Sequence, residues 1–394
     1  MQSKKQNPLT QPNRRHALLA LLGSTLLPGC GGGGDGFAGL SSGGTGSFTN
    51  GVVVGLGSII VNGIRYDDAG ATVTSQGGPS SQAALKLGMV VAIQGSAVTP
   101  PATAGALATA TATQITIASE WKGRVDAVTG ADSFTVLGQT VRVLGNTVYS
   151  SGTLADLAGR YVEIYGFLDL VSASLQASRV EVSSTPPTNF RLSGRVAHLS
   201  ASTFKLGSAL IDFADASEKP VMQNDMLVRV ELQTRPVAGA WAATRIVAVD
   251  ASAHLENDAE VEIEGSITAY TSNARFHVNG IAIDASRITL PAGLALGVRV
   301  EVHGSVVRGE VQAARVEIED SDTLEAKEYE FHGLISSLDT SAQTFVIRGY
   351  TVRYEAATVY EPTRLTLANS LDVEVKARID TAGLLVATKI EAQH

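Results

Sequence analysis

From Gly51 onward the chain writes one short β-rich unit five times. The unit's last strand reads Ala-Thr-Gln-Ile at 112–115, Ala-Ser-Arg-Val at 177–180, Ala-Thr-Arg-Ile at 243–246, Ala-Ala-Arg-Val at 313–316 and Ala-Thr-Lys-Ile at 387–390. Glycines that open the first strand stand at 51, 123, 194, 265 and 333, at intervals of 72, 71, 71 and 68 residues. A period of this size marks a repeat architecture, and it overrides the two or three domains that 394 residues alone suggest. Units this small sit near the size at which one core is marginal, so neighbours are expected to pack together or share linkers.

The fourth unit shows the grammar best. Val261, Ile263 and Ile267 begin a strand that Gly265 is expected to break. Phe276 and Val278 alternate with Arg275 and His277, the period of a half-buried strand. Asn279-Gly280 then separates Val278 from Ile281 and Ile283, the sequence signal of a two-residue hairpin whose central residues both take positive φ. After a connecting stretch, Gly297 leads into the alternating Val298–Val302, and Val316 and Ile318 mark the last strand. Asn62-Gly63, Gly138, Gly207 and Arg348-Gly349 hold the hairpin position in the other units. Gly88 and Gly159 repeat the step into the alternating strand, while Asn224-Asp225 and Asn369-Ser370 replace it in the third and fifth.

Many glycines (40), few aromatics (5%) and low charge (17%) suit short strands and turns, and a hydrophobic share of 44% argues against disorder in the repeats. Five strands with one apolar face leave exposed edges unless the sheet closes, and an opening glycine suits the bend at a barrel corner. The expected fold is therefore all-β: a tandem array of five small OB-like, five-stranded β-barrels behind a disordered signal peptide and Gly/Ser tether. An array of small sandwiches satisfies the same pattern. The expected divisions are 1–29 signal peptide, 30–48 tether, and barrels at 49–118, 119–185, 189–251, 259–320 and 328–394.

The Val-Asn-Gly hairpins at 61–63 and 278–280, the Leu-Gly step at 87–88 and 296–297, and the Ala-x-x-[Val/Ile] last strands resemble a family of bacterial exported proteins and lipoproteins. Its members carry tandem repeats of a domain of unknown function. The resemblance runs from Gly51 to Glu391, is strongest in the first and fourth units, and implies an OB-like barrel without a known activity.

The first 29 residues read as an export signal. Lys4, Lys5, Arg14 and Arg15 stand ahead of an apolar stretch from Ala17 to Leu27, too short to span a bilayer. Leu27-Pro28-Gly29-Cys30 resembles a lipobox, and Cys30 is the chain's single cysteine, so lipidation at Cys30 and attachment to the membrane are expected. Arg14-Arg15 leaves the twin-arginine and general export routes both open. Gly31 after the cysteine favours the outer membrane, facing the periplasm or cell surface. Removal of the leader leaves 26 basic against 38 acidic residues, a net −12, which argues against nucleic acid as a partner. Envelope protein or glycan are the expected partners.

Chemistry is sparse. His277 and His303 occupy outward positions of two strands and can meet only if those strands are neighbours. No further ligand stands at metal-binding spacing, so solvated histidines and no metal site are expected. Glu163, Glu301, Glu317 and Glu374 read as scattered solvating charges. Asp67-Asp68 and the 319–322 stretch lack the spaced oxygens of a calcium loop. No phosphate loop is present, and neither a catalytic set nor a cofactor is expected. Tyr161 and Tyr165 flank Glu163 on one strand face and form the one speculative ligand face, with packing as the plainer role. The expected function is a non-enzymatic, lipid-anchored scaffold or interaction protein of the cell envelope. The alternative is an array of envelope polysaccharide-binding modules.

Overall fold

A computed structural model describes residues 46–76, 78–103, 105–249, 255–319, 328–380 and 382–393. The chain divides into two units, Met1–Ala38 and Gly39–His394, and the described residues all belong to the second. The expected leader, Cys30 and most of the tether lie outside them.

Strands dominate, and among the described residues there is no α-helix, only the 3-10 turns Gln82–Ala84 and Leu154–Asp156. In the second barrel the strands are Trp121–Val128, Ser133–Val136, Gln139–Tyr149, Tyr161–Asp169 and Ser174–Ser183. The first three pair in antiparallel succession, the third lies parallel to the fifth, and the fifth and first both flank the fourth. That order, one-two-three-five-four and back to one, is the closed Greek-key circuit of an OB barrel. The first, third, fourth and fifth units close through the same set of pairings.

Inward positions are apolar. One continuous core runs through the second and third barrels, from Trp121 and Phe134 to Phe204 and Ile246. A second core fills the fourth barrel and takes in Phe48 from the first.

The expected hairpins form. Asn62-Gly63, Leu137-Gly138, Asn279-Gly280 and Arg348-Gly349 all have positive φ at both positions, from +48° to +84°. The opening glycine does not break the strand: Glu260–Ser272 is continuous through Gly265 and changes neighbours just beyond it, pairing with Arg299–Val307 up to Ser266 and with Arg275–Val278 from Ile267. A Cβ on Gly265 would stand 2.1 Å from the Asn279 side chain, and one on Gly51 would stand 2.0 Å from that of Asn62. The glycine is bare so that the hairpin asparagine can lie across the strand. Asn62 Nδ2 donates to the Asn50 carbonyl at 3.1 Å and Asn279 Nδ2 to the Glu264 carbonyl at 2.9 Å, each oxygen belonging to the residue before the glycine. In the fifth barrel Arg348 Nε makes the same bond to the His332 carbonyl, 2.7 Å, ahead of Gly333.

The step into the fourth strand is also shared by all five units. Gly88, Gly159, Asp225, Gly297 and Ser370 have φ of +78°, +74°, +68°, +82° and +67°. Each donates its N–H to a first-strand carbonyl: Val53, Val125, Val196, Ile267 and Ile335 respectively. The third and fifth units lack glycine yet keep the geometry. Asn224 and Asn369, directly before the left-handed residue, accept the N–H of Leu199 and Leu338, both at 3.0 Å.

The barrels join through their first strands. Ser47–Leu56 begins two residues inside the expected tether and pairs in parallel with the fourth barrel, Ser47 opposite Glu260 through Asn50 opposite Ile263. Its far end pairs in parallel with the fifth, Gly55 opposite Glu330. The first strands of barrels two and three meet at Lys122 and Arg191. Edges that a lone barrel would leave open are thereby covered.

Candidate site at the seam of the first and fourth barrels

On Glu260–Ser272 the inward residues are Val261 and Ile263, so Glu260, Glu262 and Glu264 share the outward face. The neighbouring strand, Arg299–Val307, turns Val300 and Val302 inward and Arg299, Glu301 and His303 outward. Cross-strand register then sets Glu262 opposite His303, Glu264 opposite Glu301 and, one strand further, His303 opposite Arg315. A solitary barrel would leave this charged face in water. Parallel pairing with the first barrel covers it instead, and Glu262 and Glu264 retain only 4% and 1% of their exposure.

The buried charges find partners. Arg299 pairs with Glu264, and Glu264 Oε2 also accepts the Val52 N–H at 3.4 Å. Arg299 reaches the second barrel too, lying 4.2 Å over the Phe167 ring with Nη1 3.3 Å from Gln176. His303 Nδ1 stands 3.6 Å from Glu262 Oε1, and its Nε2 stands 3.5 Å from Glu301 Oε1 and 3.4 Å from Arg315. Burial, then the hydrogen bond and charge of Glu301, holds the Glu262 carboxyl well above the usual carboxylate range. Burial opposes ionisation of Glu301 as well, but hydrogen bonds from His303 and Glu262 outweigh it and lower its pKa. The two adjacent carboxyls are thus pushed in opposite directions. Glu262 Oε2 and Glu260 Oε2 have no hydrogen-bond partner. Beside the cluster lies a cavity of about 240 Å³ bordered by Glu264, Glu301, Glu319, Glu328, Val52 and Val54.

This overturns two expectations. His303 is buried, not solvated, and three metal-ligating side chains do come together at Glu262, Glu301 and His303. The partner of His303 is not His277, because Glu260–Ser272 lies between their strands. Linear spacing concealed the cluster, and only the hydrogen-bond register assembles it.

The other charges expected to be solvating also serve as clamps. Glu163 Oε1 accepts from Ser119 at 2.7 Å and from Arg191 of the third barrel at 3.1 Å. Glu374 lies 3.5 Å from Arg65 of the first barrel, which also pairs with Glu330. Glu317 remains near the surface, bonded to Arg315 at 2.9 Å. Asp67 closes a local turn through the Ala69 N–H, 3.1 Å, and residues 320–322 fall outside the described set.

Tyr161 and Tyr165 do lie on one outward face of Tyr161–Asp169, but the packing of the barrels covers it. Tyr165 is 5% exposed, and burial pushes its hydroxyl far above the ordinary tyrosine value. Tyr161 packs toward Phe190 of the third barrel, ring centres 6.4 Å apart. Tyr165 offers no open stacking face, and Tyr161 is partly buried against the core of the second and third barrels. Trp121 is likewise structural: Nε1 donates to the Ser193 carbonyl across the second seam at 2.9 Å.

Closed barrels of OB circuit, joined by first-strand seams, define a β-barrel repeat protein. Within it, residues 122–181, 264–317 and 332–391 each match the model of a domain of unknown function, DUF5666, so the chain carries a repeated domain of unknown function. The matched segments are the second, fourth and fifth barrels. The fifth therefore keeps a family signature that its missing Leu-Gly step obscured, while the first was expected to match best. No curated protein matches. Among solved structures, drosophila Unr CSD456 is similar to 53% of this chain over 98% of its own length, at 12% identity and a TM-score of 0.13. The barrel assignment stands on this chain's own strand pairing.

Proposed function

We propose that the protein is a non-enzymatic, lipid-anchored envelope protein, held at the membrane by Cys30, whose five barrels act as one interaction body. The observation that supports this reading is the use made of the barrels' outward charges. Arg179, Arg191 and Arg299, each nearly buried, spend their guanidiniums on bonds between barrels: Arg179 to the Leu87 carbonyl, Arg191 to Glu163, Arg299 to Gln176. Charged faces that elsewhere take substrates hold this molecule together, which favours a compact hub over an extended spacer.

Metabolic labelling with palmitate, followed by membrane fractionation, tests the anchor. The native chain should carry label and sediment with the membrane, and Cys30→Ala should lose both. A Cys30→Ala chain that still sediments would overturn the anchor. Affinity capture from the envelope, run with the lipidated protein, should return a protein partner. A hydrolytic or redox activity abolished by one substitution would overturn the non-enzymatic reading.

A further inference from the structure

We propose that Glu262, Glu301 and His303 form a binding site for one divalent transition-metal ion at the seam between the first and fourth barrels. Each side chain offers one ligand atom, and these atoms lie within 4.8 Å of one another. Ligands around a tetrahedral ion at bond lengths of about 2.0–2.2 Å stand roughly 3.4 Å apart. The 3.6 Å between His303 Nδ1 and Glu262 Oε1 is already close to that separation. Glu301 Oε1 faces the other ring nitrogen, Nε2, at 3.5 Å, so the imidazole or that carboxylate has to turn before Glu301 joins as the third ligand.

A second observation points to a cation independently of this clustering. Glu262 is 4% exposed, and its Oε2 has no hydrogen-bond donor. A buried carboxyl oxygen without a partner is costly, and natural structures rarely leave one so. The nearby cations are engaged elsewhere. Arg299 is held by Glu264 and Gln176. Arg315 touches the imidazole, but its side chain is 43% exposed and bonded to Glu317, so it can withdraw into solvent. Glu301 borders both the cluster and the 240 Å³ cavity, which supplies an approach and room for water in the remaining coordination positions.

The donor set selects the ion. One imidazole and two carboxylates suit Zn²⁺, Mn²⁺ or Fe²⁺, whereas Ca²⁺ and Mg²⁺ prefer all-oxygen shells. Zn²⁺ is the probe of choice because it adapts to a three-ligand site with water in the fourth position.

The test uses the full processed chain, stripped with chelator, dialysed and titrated with Zn²⁺ in a calorimeter, with metal content measured by mass spectrometry. One equivalent should bind, and the melting temperature should rise with Zn²⁺ concentration. Glu262→Gln and His303→Gln should each weaken binding at least tenfold. His332→Gln, at a partly exposed histidine of the fifth barrel that lies beside Asp372 and outside the cluster, should leave binding unchanged. The proposal is overturned if no ion is retained, if both cluster variants bind as the native chain does, or if Ca²⁺ binds as tightly as Zn²⁺. Should a variant fail to fold, Co²⁺ bound to the native chain decides. Intense ligand-field bands of a four- or five-coordinate site support the proposal, and the weak spectrum of a hydrated ion overturns it.

Discussion

The Arg299 guanidinium lies 4.2 Å over the ring of Phe167, so one side chain of the fourth barrel clasps the second while it neutralises Glu264 of its own. The pair sits on the outward faces of two barrels that share no backbone pairing. It shows how side chains complete a body that the first strands only begin to join.

Removing that guanidinium should be severe. Arg299→Met strands the Glu264 carboxylate at 1% exposure, and breaking one half of a buried pair costs about 3–5 kcal/mol. The double variant Arg299→Met with Glu264→Gln should recover much of the loss. Denaturant unfolding checks this, and equal stability of single and double variants would contradict it.

The glycine–asparagine lock predicts a coupling between two positions. Gly265→Ala places a Cβ 2.1 Å from the Asn279 side chain and should cost about 1–3 kcal/mol by overpacking. Asn279→Ala loses the bond to the Glu264 carbonyl and strains a backbone at φ +50°, for about 2 kcal/mol. Combined, the two should cost less than their sum, because the clash needs both side chains. A double-mutant cycle measures the difference.

Two of the left-handed steps can be improved. Asp225→Gly and Ser370→Gly should each stabilise by about 0.5–1 kcal/mol, since glycine accepts φ near +68° without a Cβ penalty. Gly88→Ala and Gly159→Ala should move the melting temperature the opposite way. A fall in the first pair would show that Asn224 and Asn369 depend on the residue that follows them.

Glu330 gives a signed pH dependence. Burial, with the nearby Glu374, raises its carboxyl above 4.5 despite Arg65, so the folded state holds this proton more tightly than the unfolded chain does. The group's contribution is therefore full below the unfolded value and is lost as pH climbs through the folded one. From about pH 4.5 upward, Glu330→Gln should gain on the native protein, with a slope no steeper than about 1.4 kcal/mol per pH unit. Chemical unfolding at several pH values checks the sign, and a gain as pH falls would refute it.

Local structure was legible in the sequence where one residue type has one conformational reason. Asn-Gly at 62–63 and 279–280 announced hairpins because few other pairs accept two positive φ values. Strand alternation announced the barrels. The glycine at 265 was visible but its purpose was not, since the asparagine it accommodates arrives only once the hairpin folds back. Asp225 and Ser370 looked like decay because the asparagine that precedes each bonds a residue more than twenty positions earlier. Which barrels touch was not written in any local pattern. Tyr165, Glu163 and His303 all occupy outward strand positions, and a solitary barrel would have left them in solvent. The site at Glu262 needed both the register of its own barrel and the cover supplied by another.

The first strand has a consequence for how the protein is made. Its edge is satisfied by the fourth and fifth barrels, and the Val52 N–H reaches a carboxylate 212 residues downstream. A chain emerging from its N-terminus must therefore present an unpaired edge until its last third has arrived. Fragments cut after the third barrel should consequently stick to one another, and quality control in the cell would meet this protein as all five barrels or as aggregate.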